Sequence, residues 1–175
     1  VYAPAATVSS VLLVSHDSGT TWAEAVERIP TASLEIIQFV NDEDGWVGGQ
    51  EKDIDNSSLP FFFITQDGGR YWNRYDVWDT SKDRSGAILE FHFESPRHGY
   101  LVIERLAADE DSYELYETMN SGHSWSVREI SGQRPTIRRR ISMPTEAEWR
   151  LTEDQSAGTY AIEKRDGNTW RKTAS

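Results

Sequence analysis

The sequence predicts an all-β chain built from about four repeats of four short strands. Three observations carry the prediction. An octet first met as SHDSGTTW at 15–22 returns as TQDGGRYW at 65–72, as TMNSGHSW at 118–125 and, in worn form, as EKRDGNTW at 163–170. Its closing residues Trp22, Trp72, Trp125 and Trp170 stand 50, 53 and 45 residues apart. Each octet follows an aromatic mark, Tyr2 in VYAPA, Trp46 in GWVGG, Tyr100 in GYLVI and Trp149 in EWRLT. The last three marks follow β-rich runs, LEIIQFV (34–40), AILEFHF (87–93) and TIRRRISM (136–143). Features that recur in fixed order at this period signal a repeat architecture.

Taken in order, the repeats cover residues 1–30, 31–80, 85–132 and 134–175 of a single domain, 1–175. The first starts too late to hold a leading run, so it is expected to lack its first strand. In the second, strands are predicted at 34–40, 45–49, 60–66 and 70–77, separated by turn-forming Gly, Asp, Asn and Pro. The runs FFFIT, YELYET and TYAIEK have the aromatic and β-branched bias of strands. TWAEAVERI (21–29) and TEAEWRL (145–151) carry the Thr-x-x-Glu pattern of a helix start. Both fall where the other repeats place strands, and strands are expected there too.

Within each repeat the octet suits the turn between the third and fourth strands. Ser15, Thr65 and Thr118 are placed to bond nearby backbone, and Asp17, Asp67 and Asn120 to accept N–H groups inside the turn. Gly19, Gly69 and Gly122 stand where a positive φ is expected. Trp22, Trp72, Trp125 and Trp170 then cover the turn and lead into the next strand. In the fourth copy Glu163 and Arg165 replace the hydroxyl and the acid, so a different turn is expected.

Composition narrows the function. A net charge of −11 over 175 residues, with an isoelectric point near 4.8, opposes binding to nucleic acid. There is no cysteine, which removes disulfides and thiolate chemistry. No apolar run reaches the about 20 residues that span a bilayer. The chain begins at Val1 without methionine and shows no signal peptide, which is compatible with the removal of one upstream.

The pattern Ser/Thr-x-Asp-x-Gly-x-Thr-Trp resembles the Asp-box, or BNR repeat, of β-propellers. With GWVGG upstream of TQDGGRYW, the chain is closest in style to the repeats of photosystem II assembly and stability factors. The resemblance implies a β-propeller of about four blades, three complete and one lacking its first strand. The ring is then closed, open and partial, or completed by a second copy in a homodimer. It further implies a non-catalytic module that binds another protein, in an extracytoplasmic (secreted or periplasmic) setting. Asp-box propellers also include sialidases and other glycoside hydrolases, so a carbohydrate-binding or carbohydrate-processing propeller is the alternative, with Trp78 as a candidate exposed aromatic.

The residues favour the first reading. ERIP (27–30) echoes a sialidase motif, but Arg28 follows an octet where that motif precedes one. His16, His92, His98 and His123 lack ligand spacing, and no Gly-x-Ser-x-Gly elbow or phosphate loop is present. DIDNSS (53–58) opens like a calcium loop, but Ser58 and Ile64 stand where that loop needs Gly and Glu. NDEDG (41–45) and ADEDS (108–112) read as solvated turns. No catalytic residue, metal or cofactor is therefore assigned. Phe39 and Phe93 are expected to face the core between sheets, with Gln38 and His92 facing away. In so acidic a chain, Arg138, Arg139 and Arg140 form a candidate binding patch, unless they pair with neighbouring carboxylates.

Overall fold

A computed structural model describes residues 10–54, 56–78, 85–105, 112–137, 149–154 and 159–174. Among them there is no helix, and the thirteen strands form four antiparallel sheets, none closed into a barrel. The chain divides into two compact units.

The larger unit holds two four-stranded meanders. The first is β3 (Ala32–Phe39), β4 (Asp44–Lys52), β5 (Ser58–Gln66) and β6 (Asn73–Asp76), paired in chain order. The second is β7 (Gly86–Phe93), β8 (Gly99–Arg105), β9 (Ser112–Thr118) and β10 (Ser126–Ser131), paired the same way. The strands expected at 34–40, 45–49, 60–66 and 70–77 correspond to β3–β6, with shifted ends. The two meanders even share an irregularity, a register shift between Leu34 and Ile36 that recurs between Ile88 and Glu90.

The FFFI run in β5 has no polar alternation because both faces of its sheet are covered. Side chains alternate across a strand, so Phe62 and Ile64 enter a cluster with Trp46, Phe91, Phe93, Leu101 and Ile103. Phe61 and Phe63 enter a second cluster, with Ala32 and Val47, against which Val26 and Ile29 pack. The first cluster joins the two meanders. Trp46 stacks on Phe93 at 3.7 Å and 9°, and its indole N–H donates to the carbonyl of Ser121 (2.8 Å). Gln38 adds a polar stitch, accepting from the Phe93 N–H and donating to the Phe93 carbonyl, each at 2.9 Å.

One core expectation holds and its twin does not. Phe93 is 1% exposed, whereas Phe39, in the matching place, is 43% exposed and packs edge-on against Trp72 of its own sheet. Both rings lie over a glycine across the ladder, Gly45 for Phe39 and Gly99 for Phe93. A Cβ on Gly99 would sit 2.6 Å from the Phe93 ring. That contact explains why GWVGG and GYLVI open on glycine.

The smaller unit contains the two-residue strands β1 (Leu13–Val14) and β2 (Ala23–Glu24), and the meander β11 (Trp149–Asp154), β12 (Thr159–Asp166) and β13 (Thr169–Ala174). Trp149 lies against the first octet, edge-on to Trp22 at 6.1 Å. Its ring occupies the space beside Gly19, where a Cβ would come within 2.2 Å. TWAEAVERI holds β2 and irregular backbone, with no helix. Of the run expected to begin the fourth repeat, Thr136 and Ile137 are irregular and the remainder lies outside the described residues.

Candidate functional site

Three octets build the same turn. In the first, Ser15 Oγ accepts from the Gly19 N–H (2.7 Å) and donates to Asp17 Oδ1 (2.9 Å). In the second, Thr65 Oγ1 accepts from the Gly69 N–H (2.9 Å) and donates to Asp67 Oδ1 (2.9 Å). In the third, Thr118 Oγ1 accepts from the Gly122 N–H (3.0 Å) and donates to Asn120 Oδ1 (2.9 Å). The acid or amide then accepts from the backbone further round: Thr21 in the first, Arg70 and Tyr71 in the second, Ser124 in the third.

The turn needs two consecutive residues at positive φ. The glycines Gly19, Gly69 and Gly122 lie at +81°, +85° and +86°, as expected. The residues before them, Ser18, Gly68 and Ser121, also lie there, at +57°, +74° and +65°. Trp22 and Trp72 close their turns by donating an indole N–H to the carbonyls of Gly19 and Gly69. Trp125 instead stacks on Phe62 at 5.5 Å, and its indole nitrogen is buried without a partner among the described residues.

The fourth octet is a different turn. β12 and β13 stay paired to Asp166 and Thr169, leaving a two-residue loop of Gly167 and Asn168 with Gly167 at φ +60°. A positive φ at the first loop position alone fits a type II′ hairpin. Glu163 pairs with Arg150 at 2.6 Å, and Arg150 lies 4.5 Å from the ring of Trp170.

Donors from the Thr21 backbone, then its hydroxyl, hold the Asp17 carboxyl down at about 2. The charged form is favoured by folding, so its contribution is present above the ordinary value of 3.8 and is lost as pH falls through the lowered one. The melting temperature of the wild type should therefore fall relative to Asp17→Asn between about pH 4 and pH 2. Parallel curves through that window would refute the assignment.

A polar cleft of the larger unit lies between the second and third octets. It has a volume of about 140 Å³ and is lined by Ile64, Gln66, Asp67, Tyr71, Asn73, Tyr75 and His123. Tyr71 is 76% exposed, and the rings of Tyr75 and His123 meet at 4.5 Å. The tight Tyr71 N–H contact, with Thr65 and Arg70 adding to it, keeps the Asp67 carboxyl below its ordinary range. The sequence marked Asp67 as a turn residue and His123 as a loop residue. Their meeting was legible only in the Tyr that occupies position seven of the second octet, where the other copies carry Ser or Thr.

Several expected features resolve as structure. Trp78 is 9% exposed, donates its indole N–H to the Tyr116 hydroxyl (2.9 Å) and lies 4.7 Å from the Arg105 guanidinium, so it is no exposed platform. In NDEDG, Asn41 Oδ1 accepts from the N–H groups of Glu43 and Asp44, which makes an Asx turn. Asp53 accepts from its neighbour Ile54, and its loop turns through Asn56 at φ +66°. His98 bridges Glu117 (2.9 Å) and Glu94 (3.3 Å) at the surface, holding the Glu117 carboxyl below its usual range. No group of three or more metal-ligating side chains occurs among the described residues. No described helix is long and apolar enough to cross a membrane. Arg138, Arg139 and Arg140 lie outside the described residues.

Comparison with family models, curated proteins and solved structures finds no match to this chain.

Proposed function

We propose that the chain is a non-catalytic, four-bladed Asp-box propeller module that binds another protein, in extracytoplasmic assembly or stability. The observation that carries this reading is the use of the octets. Their hydroxyls and acids are engaged inside their own turns, while His16, Gln66 and Met119 at position two, and Tyr71 at position seven of the second octet, are exposed.

The contacts between repeats favour four blades. Trp46 of the second repeat reaches the octet of the third, through the carbonyl of Ser121. Trp149 of the fourth repeat reaches the octet of the first, at Gly19 and Trp22. Contact between last and first, of the kind that neighbours make, is what a ring of four requires. The sugar-binding alternative loses its expected platform with the burial of Trp78.

A glycan array, a glycosidase panel and a displayed-peptide library, each run against the purified chain, test the proposal. Saturable peptide binding without glycan binding or turnover is the expected result. Saturable glycan binding or turnover without peptide binding overturns it.

A further inference from the structure

We propose that the cleft between the second and third octets receives a lysine side chain of the protein partner. This deepens the proposed function and rests on it. The starting point is one residue, position seven of the octet. In the first octet Thr21 Oγ1 donates to Asp17 Oδ2 (2.7 Å), and in the third Asn120 Nδ2 donates to Ser124 Oγ (2.9 Å). In both, the second atom of the side-chain fork is held by the residue at position seven.

The second octet has Tyr71 at that position, and its phenol does not fold back. Asp67 accepts from Thr65, Arg70 and Tyr71 at Oδ1 alone, and Oδ2 receives no donor from the described residues. The guanidinium of Arg70, the cation in the same turn, donates to the Asp67 backbone carbonyl (3.0 Å) and not to the carboxylate. One side of an ionised carboxylate is therefore open, at the wall of a cleft of about 140 Å³.

The cleft suits an ammonium better than a guanidinium. A guanidinium gains most from a two-pronged carboxylate, and here one prong is already engaged. An ammonium has three donors, and three of the residues that line the cleft, Gln66, Asp67 and Asn73, carry side-chain oxygen acceptors. Tyr71 and Tyr75, also in the lining, bring aromatic rings against which a lysine stem and its charge can pack. The chain has 29 acidic against 18 basic residues, which favours a basic partner at long range.

The third octet supplies a clean test, because Asn120 shows that an amide sustains the turn. Asp67→Asn removes the charge and keeps the turn acceptor. Tyr71→Thr restores the hydroxyl that closes the carboxylate in the first octet. The ¹⁵N-labelled chain is titrated with acetyl-Gly-Lys-Gly-Lys-Gly-amide and with its norleucine counterpart. Saturable shifts at residues 64–75 and 123 are expected with lysine and not with norleucine. Each variant should weaken binding about tenfold or more, with its melting temperature close to the wild type. Asp17→Asn, in the first octet, should bind like the wild type.

Equal binding of the norleucine peptide overturns the assignment, as does wild-type affinity in both folded variants or no binding of the lysine peptide. If a variant fails to fold, the other variant and the lysine–norleucine comparison on the wild type decide. A protein partner that binds the wild type and Asp67→Asn alike removes the cleft from the account and leaves the module reading standing. Glycan binding without peptide binding removes both.

Discussion

Trp46→Ala is expected to lower the unfolding free energy by about 3–5 kcal/mol, the range for emptying a buried aromatic site. Trp46 is 1% exposed and lies where two four-stranded sheets meet. Its removal leaves a void against Phe93 and strips the Ser121 carbonyl of its indole donor. Trp46→Phe separates the two losses, since it refills much of the volume without restoring the hydrogen bond, and should cost about 1–3 kcal/mol. Urea unfolding followed by tryptophan emission and by circular dichroism measures both. A loss below about 1 kcal/mol for Trp46→Ala would place the junction between the sheets elsewhere.

Thr118→Val is the second large effect, expected at about 1–3 kcal/mol, the usual cost of a buried group left without its partner. Valine matches threonine in shape, so packing is nearly preserved. The Gly122 N–H, at a buried position, loses its acceptor, and Asn120 loses the hydroxyl that orients it. Thr65→Val should behave alike, because Thr65 is also 1% exposed and accepts from Gly69. Thr118→Ser keeps the oxygen and isolates the methyl group. Thermal melts of the three variants check the order, and Thr118→Val as stable as Thr118→Ser would remove the hydroxyl from the account. The fourth octet points the same way: with Glu163 in place of the hydroxyl, the chain makes a two-residue hairpin instead of the wide turn.

Much of the fold was legible because its signals are local. The octet fixes a turn through bonds that span two to four residues, and so its spacing located β5, β6, β9 and β10. Strand composition did the same for the FFFI run. What the sequence hid depends on partners far along the chain. Phe39 and Phe93 each stand seven residues before the aromatic mark of their repeat, but the ring that covers Phe93 is Trp46, 47 residues away. Trp78 follows a short strand with no periodicity to mark it as core, and the hydroxyl that satisfies its indole comes from Tyr116, 38 residues on. The positive φ at Ser18 and Ser121 went unread because serine seldom marks that conformation. The cleft was hidden for a similar reason. Asp67 and Tyr71 belong to one octet and His123 to the next, 52 residues beyond Tyr71, and no local pattern joins them.

The shared turn has a consequence for variation among the repeats. Positions one, three and five hold the backbone in all three wide turns, while position seven is Thr21, Tyr71 or Ser124 in the same turn. A single-codon change at position seven is expected to engage or release the side-chain fork behind it, with no new loop and no remodelled strand. Each octet is in this sense a key in a fixed frame, and can be retuned alone. Selection acting on one key at a time alters the groups the surface presents while the frame keeps its fold.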